Sequence, residues 1–302
     1  MELINASEPL RARPPPVAYG KAARGARLQL CGMLRGVNQA CVCALNQLNR
    51  AFYAAIAREW SDTRKAPWDG FGRVISCLPH PGRGERTPLR VLDVGAGDGR
   101  FAAYLARQQL PALDYLGVDL STALLDHARA RGLGPAYRFE QLDVVEGDAQ
   151  RSLPSGEHAL IVLFGVLHHL PSLALRRELL ATLGARLAPG GVLAMTFWRL
   201  PEDARFARRV LSWESYNASA PQPLDLTQLE PGDTLLRWGR GTAPPRYCHF
   251  ADAAEISELI ACTGLRVLDR FRADGRGEQL NEYVLLTAAA RDAPPCTPGE
   301  RC

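Results

Sequence analysis

Between residues 89 and 200 the chain alternates short apolar runs with longer segments whose apolar residues recur every three or four positions. The apolar runs predict strands at 89–94, 114–119, 137–142, 159–164 and 191–197. The periodic segments predict helices at 100–109, 122–131 and 173–187. This alternation is typical of βαβ units, so we expect an α/β fold with a parallel sheet and helices on both faces.

The flanking segments follow other patterns. Apolar residues at helical spacing predict helices over 34–60 and 69–78, which form an N-terminal helical segment at 33–78. Residues 79–88, rich in Pro, Gly and Arg, predict a linker into a domain at 89–287. Near the end of that domain we expect a helix at 253–261 and an antiparallel hairpin formed by 265–271 and 279–287.

The two ends lack a periodic apolar face and are expected to be tails, at 1–32 and 288–302. The first tail is rich in Arg and poor in acids, so a targeting segment and a misassigned start stay open as alternatives. The first 50 residues carry a net charge of +5, against a total of +4, so the rest of the chain sums to −1 and is nearly neutral. Bulk charge therefore does not by itself favour a nucleic-acid partner.

Composition excludes several classes of protein. The chain is 47% hydrophobic and 23% charged, as in ordinary globular proteins and unlike disordered or fibrous ones. It has no run of about 18 apolar residues, so we expect no membrane-spanning helix. The eight cysteines are scattered, which predicts reduced thiols, no metal site and a cytoplasmic location.

A glycine-rich turn follows the first predicted strand. The sequence from Val91 to Gly99 reads VLDVGAGDG, an apolar strand that ends in G-x-G-x-G and leads into a helix. Such a turn lets a ligand approach the backbone at a helix N-terminus. Asp119 ends the second strand with a carboxylate suited to ribose hydroxyl groups. Asp143 follows the third strand, where it could accept a hydrogen bond from an adenine amino group.

These features in this order resemble the class I S-adenosylmethionine (SAM)-dependent methyltransferases. The resemblance implies a Rossmann-like fold with a seven-stranded, mostly parallel sheet and an N-terminal helical extension. It implies SAM as the cofactor and methyl transfer as the activity. The residues that it places at the cofactor are Asp93, Gly95, Ala96, Gly97, Asp119, Leu120, Asp143, Val144 and Phe164.

The flanking motifs resemble a narrower family, the tRNA methyltransferases that esterify a carboxymethyl group on the wobble uridine, which also occur fused to AlkB-type tRNA hydroxylases. The motifs are FY at 52–53, WSDTR at 60–64, HH at 168–169, TFW at 196–198, GDTLLRW at 232–238 and RYCHF at 246–250. This resemblance implies tRNA as the substrate, a small zinc-binding activator subunit as a partner, and residues 199–250 as an acceptor-side insertion.

Three positions depart from that family. Cys248 stands where the family has a second tyrosine, Arg237 where it has a proline, and Glu282 where it has an aromatic residue after asparagine. Losing aromatic residues weakens the case for stacking on an RNA base. Two alternatives therefore stay open: a small-molecule O- or N-methyltransferase, and a non-catalytic SAM-fold binding protein.

Methyl transfer to a carboxylate needs orientation more than a base, because a carboxyl group with a pKa of about 4 is already ionised at neutral pH. Arg64 and Arg246 match motif arginines and are the expected orienting cations. His168 is the histidine expected to face the acceptor, and it would act as a general base for a hydroxyl acceptor. Trp198 and Tyr247 are expected to line the acceptor site.

Overall fold

A computed structural model describes residues 37–64, 66–78, 87–146, 152–199, 206, 208–239, 243–275 and 277–289. The tail expected at 1–32 lies outside these residues, as do most of the linker at 79–88 and of the tail at 288–302. Every described residue belongs to one compact unit. Among the described residues, no helix has the length and apolar character needed to cross a bilayer.

A seven-stranded sheet forms the centre of the fold. Its strands are β1 (Leu89–Val94), β2 (Leu113–Asp119), β3 (Tyr137–Gln141), β4 (His158–Leu163), β5 (Leu187–Trp198), β9 (Arg266–Ala273) and β10 (Asn281–Thr287). Their order across the sheet is β3-β2-β1-β4-β5-β10-β9. The first five run parallel, whereas β10 is antiparallel to both β5 and β9. The expected α/β fold and the closing antiparallel pair are confirmed.

Helices cover both faces of this sheet. They are α1 (Gln39–Thr63), α2 (Phe71–Ser76), α3 (Arg100–Leu105), α4 (Thr122–Arg129), α5 (Leu173–Gly184), α6 (Trp213–Asn217) and α7 (Ala253–Ala261). Side chains alternate between the two faces along each strand, so a single strand contributes residues to the hydrophobic core on each face of the sheet. In β4, Ile161 packs in the core that contains Leu179 of α5, and Leu160 packs in the core that contains Phe101 of α3.

The expected insertion at 199–250 contains a second sheet, which the sequence patterns did not predict. It consists of β6 (Val210–Leu211), β7 (Asp233–Leu236) and β8 (Arg246–His249), paired antiparallel in that order. These strands are two to four residues long, too short to give a clear periodic signal.

The N-terminal helix differs from the prediction of 34–60, because it begins at Gln39 and ends at Thr63. Its start is set by Asn38, whose side chain caps the helix by accepting a hydrogen bond from the backbone N–H of Cys41 at 2.9 Å.

Candidate active site

An open cleft of about 1070 Å³, counting the solvent-open space at its mouth, lies at the carboxyl ends of the parallel strands. The strand order reverses between β1 and β4, which is where open α/β sheets bind ligands. All nine residues expected at the cofactor line this cleft. Residues that follow β2 and β3 lie towards one end of it, and residues that follow β4 and β5 lie towards the other.

The glycine turn between β1 and α3 leaves space for a ligand. Gly95, Gly97 and Gly99 have φ values of 79°, 55° and 73°, which favour glycine. A Cβ atom on Gly95 would lie 2.2 Å from Cγ2 of Val166, so packing also excludes a side chain there. A Cβ atom on Gly97 would meet nothing within 4 Å, because this position faces the cleft. A ligand can therefore lie directly against the backbone at Gly97.

Backbone groups orient the carboxylate of Asp119 at the end of β2. The N–H of Gly97 donates to Oδ2 at 2.8 Å, and the N–H of Ser121 donates to Oδ1 at 2.8 Å. Burial, partly offset by these two hydrogen bonds, raises the pKa of Asp119 to about 6. A carboxylate oxygen has two lone pairs, so each oxygen can still accept from a ribose hydroxyl group.

Asp93 is the second acidic group at the glycine turn. It is buried, and its Oδ2 accepts a hydrogen bond from the hydroxyl of Tyr115 at 2.5 Å. Burial raises the pKa of Asp93 to about 7, and the bond from Tyr115 opposes that shift. Tyr115 was not singled out from the sequence, because its position in a buried strand gives no sign of a polar partner.

Asp143 connects the cofactor end of the cleft to α1. Its Oδ2 accepts from Asn46 at 2.8 Å and from Nε of Arg50 at 2.9 Å, and its Oδ1 accepts from the N–H of Val145 at 2.9 Å. Arg50 also forms an ion pair with Glu146 at 2.6 Å. These contacts use most of the acceptor capacity of Asp143. Its contact with an adenine amino group stays a prediction, whereas its contact with α1 is observed.

The opposite end of the cleft carries an aromatic–arginine cluster, formed by Phe52, Trp60, Trp198, Trp238, Arg64 and Arg246. The guanidinium carbon of Arg64 lies 3.5 Å from the centroid of Trp60. That of Arg246 lies 4.7 Å from Trp198. Because Trp60 and Trp198 also line the cleft, the cluster forms part of its wall.

The two arginines of this cluster have no acidic partner within the described part of the chain. Arg246 is only 3% exposed, and its Nε and Nη1 atoms make no hydrogen bond. Burial, followed by the charges of Arg100 and Arg246, lowers the pKa of Arg64 to about 10. Neither Arg64 nor Arg246 lines the cleft itself; they adjoin it through Trp60 and Trp198. Arg100 does line the cleft, so three cations that repel one another lie in this region.

The adjacent histidines point in different directions. His169 lines the cleft, whereas His168 stacks on Trp198 with ring centroids 3.6 Å apart and neither ring nitrogen hydrogen-bonded. The prediction that His168 faces the acceptor is corrected accordingly. Both residues lie in a 3₁₀ turn at Leu167–His169. A 3₁₀ helix has three residues per turn, so successive side chains are rotated by roughly 120° about its axis, and the two rings cannot both face the cleft.

Both ring nitrogens of His169 are engaged. Nδ1 lies 3.1 Å from the carbonyl oxygen of Tyr247, and Nε2 lies 2.8 Å from the hydroxyl of Tyr53. Since a carbonyl only accepts, this network assigns the proton to Nδ1, and Nε2 then accepts from Tyr53. Burial and the charge of Arg246 lower the pKa of His169 to about 3. His169 is therefore neutral at physiological pH.

Tyr247 does not line the cleft, contrary to the prediction. Its side chain is fully buried, and its hydroxyl donates to Oδ1 of Asp233 at 2.7 Å. In an extended strand adjacent side chains point to opposite sides, so Tyr247 and Arg246 cannot face the same cavity. Tyr247 therefore supports the site from behind, through its backbone contact with His169.

A buried polar network holds β8 in place. His249 lies between Asp233 and Glu255, at 2.8 and 2.7 Å, so both ring nitrogens donate to carboxylates. Burial opposes the charge on this ring, but the two hydrogen bonds raise the pKa of His249 above its ordinary value. Arg176, which is also buried, pairs with Glu230 at 2.6 Å and with Glu255 at 2.8 Å. The network thus connects the small sheet to α5 and α7.

Two groups of described side chains bring metal-ligating atoms within 4.8 Å of one another: His168, His169 and Cys248, and Glu230, Asp233 and His249. In the first group, His169 is already hydrogen-bonded on both nitrogens, and the charge of Arg246 disfavours a second cation. In the second, hydrogen bonds and the Arg176 ion pair engage the side chains. We assign no metal to either group.

Comparison with known proteins identifies the class of enzyme. A family model described as a methyltransferase domain matches residues 92–193. Trans-aconitate 2-methyltransferase of Variovorax paradoxus is 31% identical over 244 residues, which cover 76% of this chain and 86% of that protein. The chain belongs to the class I SAM-dependent methyltransferases. The protein of the same name from Methylobacterium radiotolerans is 31% identical over 237 residues, covering 71% of the methyltransferase described here and 82% of its relative.

Solved methyltransferase structures share the fold. CcbJ from Streptomyces caelestis has a TM-score of 0.52 at 18% identity, covering 80% of this methyltransferase and 97% of that chain. A SAM-dependent methyltransferase from Clostridium acetobutylicum has a TM-score of 0.50 at 14% identity, covering 80% and 99%. The expectation of an enzyme that uses SAM is confirmed, whereas the narrower resemblance to the tRNA wobble-uridine family finds no support in these relatives. The expected zinc-binding activator subunit stays a prediction.

The structure adds residues that the sequence patterns did not assign to the site of the methyltransferase. Asn46, Asn49 and Tyr53 of α1 all line the cleft, and Arg100 lines it from the start of α3. A signal for the first three was present, since residues spaced by three and four positions share one face of a helix. Arg100 was not a candidate either, and its position directly after the glycine turn is the one sequence signal that could have pointed to it.

Proposed function

We propose that this enzyme transfers the methyl group of SAM to a carboxylate oxygen of a small acidic molecule and forms a methyl ester. The observation that carries the proposal is the pair of arginines, Arg64 and Arg246, that lack an acidic partner and lie against Trp60 and Trp198, which line the acceptor end of the cleft. A buried cation without a counter-ion is costly, so a bound anion is the natural complement of such a site.

The groups beside the acceptor end are poor general bases. His169 has a pKa of about 3 and already uses both nitrogens. Burial raises the pKa of Tyr53 to about 12, and its proton is donated to His169. Burial also lowers the pKa of His168 well below its usual range, and His168 does not line the cleft. A hydroxyl acceptor needs a base, whereas a carboxylate does not.

When bound, SAM supplies an electrophilic methyl group on a positively charged sulfur. The residues of the chain then contribute position and charge. Asp119 and the backbone at Gly97 hold the ribose end, and Arg64 and Arg246 orient the acceptor carboxylate. With SAM bound, the new bond from a carboxylate oxygen to the methyl carbon would form as the bond from that carbon to sulfur broke, leaving S-adenosylhomocysteine. No proton is transferred, so catalysis consists of alignment in a largely apolar cleft.

The relatives suggest the first acceptor to test. Trans-aconitate, in the names of two of them, is a small acid with three carboxyl groups. We therefore propose an acid with more than one carboxylate as the acceptor class, in place of a tRNA base. The test incubates the enzyme with SAM carrying a labelled methyl group and with trans-aconitate, cis-aconitate, tricarballylate or acetate, and then treats the product with alkali.

A methyl ester releases labelled methanol in alkali, whereas an N-methyl or ether product is stable. We expect alkali-labile label with at least one polycarboxylate and far less with acetate, because acetate has no second carboxylate to hold it while the first is methylated. Alkali-stable label would contradict the proposed ester. Transfer of label to host tRNA, with none to any acid of the panel, would favour the tRNA substrate instead.

A further inference from the structure

Arg100 lines the cleft directly, whereas Arg64 and Arg246 adjoin it through Trp60 and Trp198. Arg100 begins α3 directly after the glycine turn, with its guanidinium carbon 5.1 Å from the centroid of Trp68. Nearby acids are already engaged: Asp98 pairs with Arg131 at 2.7 Å, and Asp274 accepts from Asn281 at 2.7 Å.

No carboxylate within the described ranges forms an ion pair with Arg100, and burial lowers the pKa of its guanidinium. Asp98 and Asp274 lie close enough to favour the charged form of Arg100, but both are engaged elsewhere and neither pairs with it. An arginine held in this way in a ligand cleft is suited to pair with an anion of the ligand. The bound cofactor and the acceptor are the two possible sources of that anion.

The position of Arg100 along the cleft indicates which source it is. We expect Asp119 to bind the ribose at the end of β2, and adenine to lie beyond it, towards Asp143 after β3. The remainder of the cofactor must then extend the opposite way, across Gly95 and Gly97. That direction leads to Arg100 and to Phe164 after β4. This part of SAM contains the sulfonium, the α-amino group and the α-carboxylate, and only the last is an anion.

We propose that Arg100 binds the α-carboxylate of the methionine part of the cofactor, with Trp68 packed against its guanidinium. This assignment leaves Arg64 and Arg246 to the acceptor, in agreement with their place beside Trp60 and Trp238. It concerns cofactor binding alone, so it holds or fails independently of the acceptor.

Calorimetric titration without an acceptor tests the proposal. The probes are S-adenosylhomocysteine, its decarboxylated analogue S-adenosyl-3-thiopropylamine, and 5′-methylthioadenosine, which lacks the amino-acid tail. We expect the wild type to bind S-adenosylhomocysteine about 10- to 100-fold more tightly than the decarboxylated analogue, the range for a charge-assisted contact. Arg100→Met should reduce this preference for S-adenosylhomocysteine to about 1–3 fold. Arg100→Lys keeps the charge but lacks the planar guanidinium that can donate two parallel hydrogen bonds, so it should show an intermediate preference.

Two controls separate this role from a loss of folding. Affinity for 5′-methylthioadenosine should be the same in Arg100→Met and the wild type. Arg107→Met, which changes an exposed arginine just beyond the same helix, should keep the full preference for S-adenosylhomocysteine. The proposal is overturned if Arg100→Met keeps the wild-type ratio. It is also overturned if that variant binds every probe normally and only the KM of the acceptor rises, because Arg100 would then bind the acceptor.

Discussion

Replacing Arg246 by methionine should stabilise the fold but lower the activity, because the arginine side chain is buried without a counter-ion. The side chain is 3% exposed, and two of its nitrogens lack hydrogen-bond partners. Removing an ion from water without a partner costs several kcal/mol, of which contact with an aromatic face returns about 0.5–2 kcal/mol. Methionine fills a similar volume without charge. The free energy of unfolding should therefore rise by about 1–2 kcal/mol.

For a protein of this size, such a change raises Tm by about 2–8 °C. Activity should change in the opposite direction, because the acceptor loses a charge-assisted contact of about 1.5–3 kcal/mol. That loss corresponds to a decrease of roughly 10- to 150-fold in kcat/KM. The affinity for S-adenosylhomocysteine should not change, since the aromatic–arginine cluster lies at the other end of the cleft.

Thermal unfolding, calorimetry with S-adenosylhomocysteine and initial-rate kinetics with the best acid of the panel measure the three effects. Arg237→Met is a suitable control, because Arg237 lies in the same insertion with an exposed side chain, and it should behave as the wild type does. If Arg246→Met lowered Tm while keeping the wild-type kcat/KM, the reasoning about an unpaired cation that awaits an acidic acceptor would be refuted.

The raised pKa of His249 means that its proton stabilises the fold below about pH 6.5, a contribution lost as pH rises through the folded-state pKa. In urea denaturation, the free energy of unfolding of His249→Gln should therefore fall furthest below that of the wild type near pH 6, and the difference should be smaller near pH 9. Because the pKa of Asp119 is about 6, calorimetry should show S-adenosylhomocysteine binding weaken from pH 7 to pH 5. Asp119→Asn should bind more weakly with a smaller pH dependence. His168→Phe should retain stacking on Trp198 and near-normal kcat, whereas His168→Ala should raise the KM of the acceptor.

Local patterns were sufficient to predict the main sheet and the cofactor end of the site. The glycine turn, Asp93 and Asp119 follow one another at the ends of successive strands, and the parallel pairing of β1 with β2 brings those ends together. The small sheet was not predicted, because a two-residue strand such as Val210–Leu211 depends on its partner and has no pattern of its own.

The acceptor end was harder to predict, because its geometry depends on contacts between distant segments. Tyr53 and His169 are separated by 116 positions but are joined by a hydrogen bond. The choice between His168 and His169 depends on the rotation of one 3₁₀ turn, which an HH pair in the sequence does not reveal. Likewise, the sequence placed Arg246 and Tyr247 together, whereas strand alternation directs them to opposite sides.

The central claim is that the acceptor is a carboxylate that needs no base, and the pH dependence of a single turnover tests it most directly. With saturating cofactor and acid, the methyl-transfer rate of the wild type should stay constant from about pH 7 to pH 9, because the acceptor is already ionised and Arg64, with a pKa of about 10, stays charged. Tyr53→Phe should leave this profile flat. A rate that rose tenfold per pH unit in the wild type, and lost that rise in Tyr53→Phe, would show that a proton must be removed and would contradict the account.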